Sequence, residues 1–212
     1  MRDEFERQLA LLNEELTTMG GLIESAIANA VKALDGDEHS INKAYDYEKS
    51  IDNKEREIES LSLKLLLTQQ PVASDLRLIS ATVKMITEME RIGDQAEDIV
   101  EIEKKEKKKM LKKSKHIQRM AAATIDMVNK SVEAFIKKDL LIAEEVSHND
   151  DVVDALFEEI VNDLVDIIKK DEGTSEVLDM LMVAKYFERI GDHAVNIAEW
   201  VQFSITGEHK RL

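Results

Sequence analysis

The sequence has 212 residues, and its 44 Asp and Glu outnumber 29 Lys and Arg to give a formal net charge of −15. Phosphate backbones repel such a surface, which excludes general nucleic-acid binding. The absence of cysteine excludes disulfides, thiolate zinc sites and cysteine nucleophiles. The opening MRDEFERQL carries charge where a signal peptide needs an apolar run, and no stretch reaches the ~20 apolar residues of a membrane span. The expectation is a cytoplasmic protein without a transmembrane segment.

One Pro and seven Gly leave room for long helices, and hydrophobic spacing is helical nearly throughout. The first helix is expected over about 5–34. It stops at Asp35-Gly36-Asp37, a glycine terminator followed by a new cap. The second runs over about 38–68 and ends before Pro71. The third, about 73–107, is capped by Ser74 or Asp75. A lysine-rich stretch follows, with eight Lys and one Glu over 104–115. It reads as a solvated hinge, with an acidic partner surface or anionic lipid as the alternative. The fourth helix runs over about 114–138. Asp139 caps the fifth, which ends near Gly173, and the sixth covers about 175–205. No period-2 strand pattern occurs.

The chain repeats itself. Glu90-Arg91-Ile92-Gly93-Asp94 recurs as Glu188-Arg189-Ile190-Gly191-Asp192. Met85, Met89, Ile92 and Ala96 correspond to Val183, Phe187, Ile190 and Ala194. Upstream, Glu48 to Asp52 lines up with Asp150 to Asp154. The offset is 102 upstream and 98 at the later motif, a difference of four residues that falls in the turn between helices. The fold class is therefore all-α: two tandem three-helix bundles, over 1–110 and 111–212.

Each repeat carries acid-x-x-x-Asp twice. Residues four apart share one face of a helix, so Glu48 pairs with Asp52, Glu90 with Asp94, Asp150 with Asp154 and Glu188 with Asp192. At ~100° per residue these acids flank the apolar stripe rather than oppose it. Four carboxylates brought together repel unless protons or cations neutralise them. One such pair is ordinary solvated surface; two kinds of pair, each in both repeats, argue for metal binding. Hard oxygen ligands suit Mg, Mn, Ca or ferric iron. Glu55 and Glu59 align with Phe157 and Val161 and read as surface. Asp98 aligns with Asn196, and both stand as peripheral oxygen ligands. His193 points ~100° away from Asp192 and reads as exposed. Arg91 and Arg189 read as structural ion pairs. Gly93 and Gly191 read as points of close helix approach. Arg77 could face a partner or form a local salt bridge.

The doubled Glu-Arg-Ile-Gly-Asp, the segment QPVASDLR before its first copy, and two three-helix units in this length resemble the PhoU family, over nearly the whole chain. The resemblance implies a negative regulator of bacterial phosphate uptake and phosphate-responsive signalling that is not an enzyme. It would contact the ATP-binding subunit of the phosphate ABC transporter and the phosphate-sensing histidine kinase, often as a homodimer. It implies multinuclear iron or zinc clusters, with Mn or Mg as alternatives. One would sit on Glu48, Asp52, Glu90 and Asp94, the other on Asp150, Asp154, Glu188 and Asp192. The second inter-helix turn, KKDEGTSEV, departs from the QPVASDLR wording. A carboxylate-bridged metalloenzyme and a metal-free helical scaffold are the competing readings. The first lacks a nucleophile or general base outside the paired acids.

Overall fold

A computed structural model describes residues 2–68, 72–106, 115–170 and 174–208. They form six helices: α1 (Arg2–Leu34), α2 (Glu38–Thr68), α3 (Ala73–Glu106), α4 (Lys115–Lys137), α5 (Leu140–Lys169) and α6 (Thr174–Thr206). No strand occurs among the described residues. Most of the lysine-rich stretch and Pro71 lie outside them.

Apolar side chains at helical spacing set which face each helix buries. In α1 these are Phe5, Leu12, Leu16, Met19, Ile23, Ile27 and Leu34, all at most 3 % exposed. Ile51, Ile58 and Leu65 in α2, and Val183, Phe187, Ile190, Ala194 and Val201 in α6, are likewise buried. Both repeats contribute to one continuous cluster of buried apolar residues.

The helix ends use the same device twice. Gly36 takes φ +89°, its N–H bonds Ala33 O at 2.7 Å, and Asp37 N bonds Lys32 O at 3.2 Å. This left-handed closure satisfies carbonyls that the last turn of α1 leaves open. Asp37 then caps α2, accepting from His39 N at 3.1 Å. At the same place in the second repeat, Lys138 takes φ 53° and Asp139 N bonds Ala134 O at 3.0 Å. Asp139 caps α5 through Leu141 N and Ile142 N. At the start of α3 it is Asp75 that acts, reaching back to Val72 N at 3.3 Å.

Within each repeat, the second helix packs against the first and the third. The repeats join mainly through α3 against α6, with α1 also touching α4. The α3–α6 seam is antiparallel: Arg77 meets Gly207, Glu88 meets His193 and Asn196, and Asp98 meets Tyr186. α1 and α4 meet where Gly20 faces Val132, and a Cβ on Gly20 would make only ordinary contact there, at 3.6 Å. No described helix is long and apolar enough to cross a membrane.

Candidate metal centres

In the first repeat α2 presents Glu48 and Asp52, and α3 presents Glu90 and Asp94, all half-buried. The helices come close because α3 has glycine opposite Ile51: a Cβ on Gly93 would sit 3.0 Å from Ile51 Cδ1. In the second repeat α5 presents Asp150 and Asp154, and α6 presents Glu188 and Asp192. Gly191 leaves room here for a carboxylate, because a Cβ would meet Asp150 Oδ1 at 2.9 Å. Both motif glycines therefore serve close approach, and the second makes space for an acid.

The electrostatics follow from this placement. Partial burial, then Asp94, Glu55 and Asp52, push the Glu90 carboxyl up to about 7. Burial, then Asp52 and Asp98, raise Asp94. Burial, then Glu97, Asp52 and Asp94, raise Glu48. In the second repeat burial, then Asp154, Asp192, Asp151 and Glu188, push Asp150 up to about 6. Asp154 and Asp192 lie at the exposed edge. They too are raised, by the packed helix wall behind them and by Glu188. The structure thus gathers the two acid pairs of each repeat into one group, and within each group like charges disfavour ionisation. Few cations offset them. Arg56 pairs with Asp52 at 2.7 Å, and Lys185 pairs with Glu188.

This arrangement fits a hard divalent or trivalent ion in its donor set and its uncompensated charge. Among the described residues no three Asp, Glu or His side chains are gathered at ligating distance around one point. Cation binding in either group therefore requires its carboxylates to rotate inward.

Several residues depart from their expected places. Glu55 is half-buried and raised by burial, Glu59 and Asp52, so it belongs to the first acid group rather than to plain surface. Glu97 joins the same group, raised by burial, Asp94 and Glu101. The duplication does not point to it, because its counterpart is Val195. His193 is not exposed. Its side chain is 17 % accessible, and Nδ1 lies 2.7 Å from Glu88 Oε2. Asn196 donates to the same carboxylate at 3.1 Å, and Asp98 hydrogen-bonds Tyr186 while remaining beside Asp94. Both candidate peripheral ligands therefore sit on the α3–α6 seam. Arg91 forms the expected ion pair, with Glu88 at 3.1 Å. Arg189 lies over the Tyr186 ring. Arg77 is half-buried against the carboxy-terminal turn of α6, where a Cβ on Gly207 would meet its Cδ at 3.4 Å. Its positive charge suits the negative end of that helix.

Fold and acid groups together define a duplicated all-helical bundle in which each three-helix repeat carries one group of carboxylates. The PhoU domain model matches residues 16–102 and again 117–201, and the chain belongs to the PhoU family. It is 36 % identical over 215 residues to a phosphate-specific transport system accessory protein PhoU homolog from Clostridium acetobutylicum, covering 100 % of this chain and 98 % of that one. It is 30 % identical to the phosphate-specific transport system accessory protein PhoU of Escherichia coli, covering 98 % of this chain and 88 % of that one. The crystal structure of PhoU from Pseudomonas aeruginosa superposes with a TM-score of 0.88 at 30 % identity, over 96 % of this chain and 100 % of that chain.

Proposed function

We propose that the chain restrains bacterial phosphate uptake and phosphate-responsive signalling by contact with other proteins. The observation that supports this most directly is the end-to-end likeness to relatives named as accessory proteins of the phosphate-specific transport system. On this reading the partners are the ATP-binding subunit of the phosphate ABC transporter and the phosphate-sensing histidine kinase. The protein works in the cytoplasm, as a homodimer, and not as an enzyme. Its long helices offer extended faces for such contacts. The acids Glu48, Asp52, Glu90 and Asp94, and likewise Asp150, Asp154, Glu188 and Asp192, would hold multinuclear metal clusters. Bound metal would neutralise the facing carboxylates and fix α2 against α3 and α5 against α6.

The test is complementation. A bacterium lacking its own PhoU gene is given this chain, and phosphate accumulation is measured in phosphate-rich medium. Restored restraint of uptake supports the reading. Unrestrained uptake despite normal levels of folded protein rules it out.

A further inference from the structure

The duplication allows the two acid groups to be compared position by position. In the first repeat the group ends at a plug made by the chain itself. Tyr45 is half-buried, and its hydroxyl bonds the Glu101 carboxylate. Lys104 Nζ lies 3.3 Å from that hydroxyl and 4.8 Å from the ring centroid. Lys49 lowers the carboxyls of both Glu48 and Glu97. One aromatic ring and two ammonium groups thus stand among the carboxylates.

The second repeat has lost that plug. Ser147 replaces Tyr45, Asp151 replaces Lys49, and Gln202 replaces Lys104, while Asp150 and Glu199 keep their acids. A cleft of about 390 Å³ opens there, lined by Glu144, Ser147, His148, Asp150, Asp151 and Val195. That volume falls within the range of binding sites. The Ser147 hydroxyl, in the lining of the cleft, is buried without a hydrogen-bond partner. Buried polar atoms are normally satisfied. Among the described residues no Lys or Arg lines the cleft. Asn149 is turned away onto Asp126.

We infer that this cleft docks a basic and aromatic segment of a partner protein, which supplies from outside the ring and ammonium groups that Tyr45, Lys49 and Lys104 supply in the first repeat. Charge favours it, since three carboxylates face the space with no fixed cation. Shape favours it too, because Val195 forms an apolar floor that suits a ring or an alkyl stem. Asp150 belongs both to this cleft and to the second acid group, so metal held there would compete with the docked segment for one of the three carboxylates.

The test uses the full chain, ¹⁵N-labelled, titrated with the blocked tripeptide acetyl-Lys-Tyr-Lys-amide. Acetyl-Glu-Tyr-Glu-amide is the control. Saturable shifts are expected at the amides of Ser147, His148, Asp151 and Val195 with the first peptide only. Ser147→Tyr, which fills the cleft from within, should abolish them. Asp151→Lys restores the charge of the first repeat without altering the packing and should weaken binding about tenfold; it decides the matter alone if Ser147→Tyr does not fold. Absence of saturable shifts overturns the inference, as do equal shifts in both variants. A response to Mn²⁺ alone, with the peptide silent, also overturns it.

Discussion

His193 Nδ1 lies 2.7 Å from Glu88 Oε2, across the seam where α6 of the second repeat crosses α3 of the first. The same carboxylate accepts from Asn196 at 3.1 Å and pairs with Arg91 at 3.1 Å. The offset of 98 converts Glu88 into Tyr186 and Asn196 into Asp98, and Tyr186 hydrogen-bonds Asp98. One polar contact thus occurs twice across the seam, with different chemistry on the two sides. Burial works to raise the Glu88 carboxyl, but hydrogen bonds from His193 and Asn196 outweigh it and hold the group below the usual glutamate value.

Glu88→Ala should therefore loosen the junction between repeats. It strands two partly buried donors, at a cost of about 2 kcal/mol for a charged hydrogen-bonded group. In a chain of this size that lowers Tm by about 4–8 °C. Because the native carboxyl is depressed, its contribution is present above the ordinary glutamate pKa and is lost as pH falls through the lower value. The wild type and Glu88→Ala should thus converge in Tm on acidification. A gap that stays constant to low pH contradicts this account.

Lys138→Gly should stabilise the protein. Lys138 holds the left-handed conformation that Gly36 holds in the first repeat. A side chain in that region costs roughly 1–2 kcal/mol. Glycine removes that strain but adds about 0.4–1 kcal/mol of unfolded-state entropy. The net gain should be about 0.5–1 kcal/mol, read as a rise in the urea midpoint without a change in slope. An unchanged or lower midpoint would show that Lys138 side-chain contacts offset the strain.

The helices were legible because their information is local. Apolar spacing, Gly36, Asp37 and Asp139 each act within a turn of their own position, and the repeat of Glu-Arg-Ile-Gly-Asp fixed the pairing of acids. The seam was not legible. Whether His193 faces water or Glu88 depends on which helix covers it, and nothing within α6 states that. Glu97 is hidden for a different reason: Val195 stands at its place in the second repeat, so the duplication lends it no support. Tyr45 and Ser147 escaped in the same way. The asymmetry between repeats becomes visible only when Tyr45 is seen reaching Glu101.

Glu103 should be a stability liability at neutral pH. It is 4 % exposed, stands where the second repeat buries Val201, and has an Oε2 with no hydrogen-bond partner. Burial alone pushes its carboxyl from 4.5 up to about 7. A raised carboxyl favours the folded state fully below the unfolded pKa, and this advantage is lost as pH rises through the folded value. The difference corresponds to about 3 kcal/mol. Glu103→Val should raise Tm at pH 8 and give less at pH 5. Equal gains at both pH values would show that packing, not charge, sets the effect.

The acid groups make the last prediction, which separates the metal reading from a metal-free bundle. Purified without tag or chelator, the wild type should carry two or more iron, zinc or manganese ions per chain by plasma mass spectrometry. Asp94→Asn and Asp192→Asn should each lower that content while the helix signal by circular dichroism is kept. With the metal removed, the carboxyls of Glu90 and Asp150, pushed up to about 7 and about 6, should make the wild type less stable as pH rises through those values. In the metal-free state both Asn variants should melt higher than the wild type at pH 8, because each removes one repelling charge. Adding the metal back should reverse that order. Full metal content in both variants would remove these acids from the ligand set. A wild type that stays metal-free after incubation with all three ions would leave the acid groups as surfaces for basic partners.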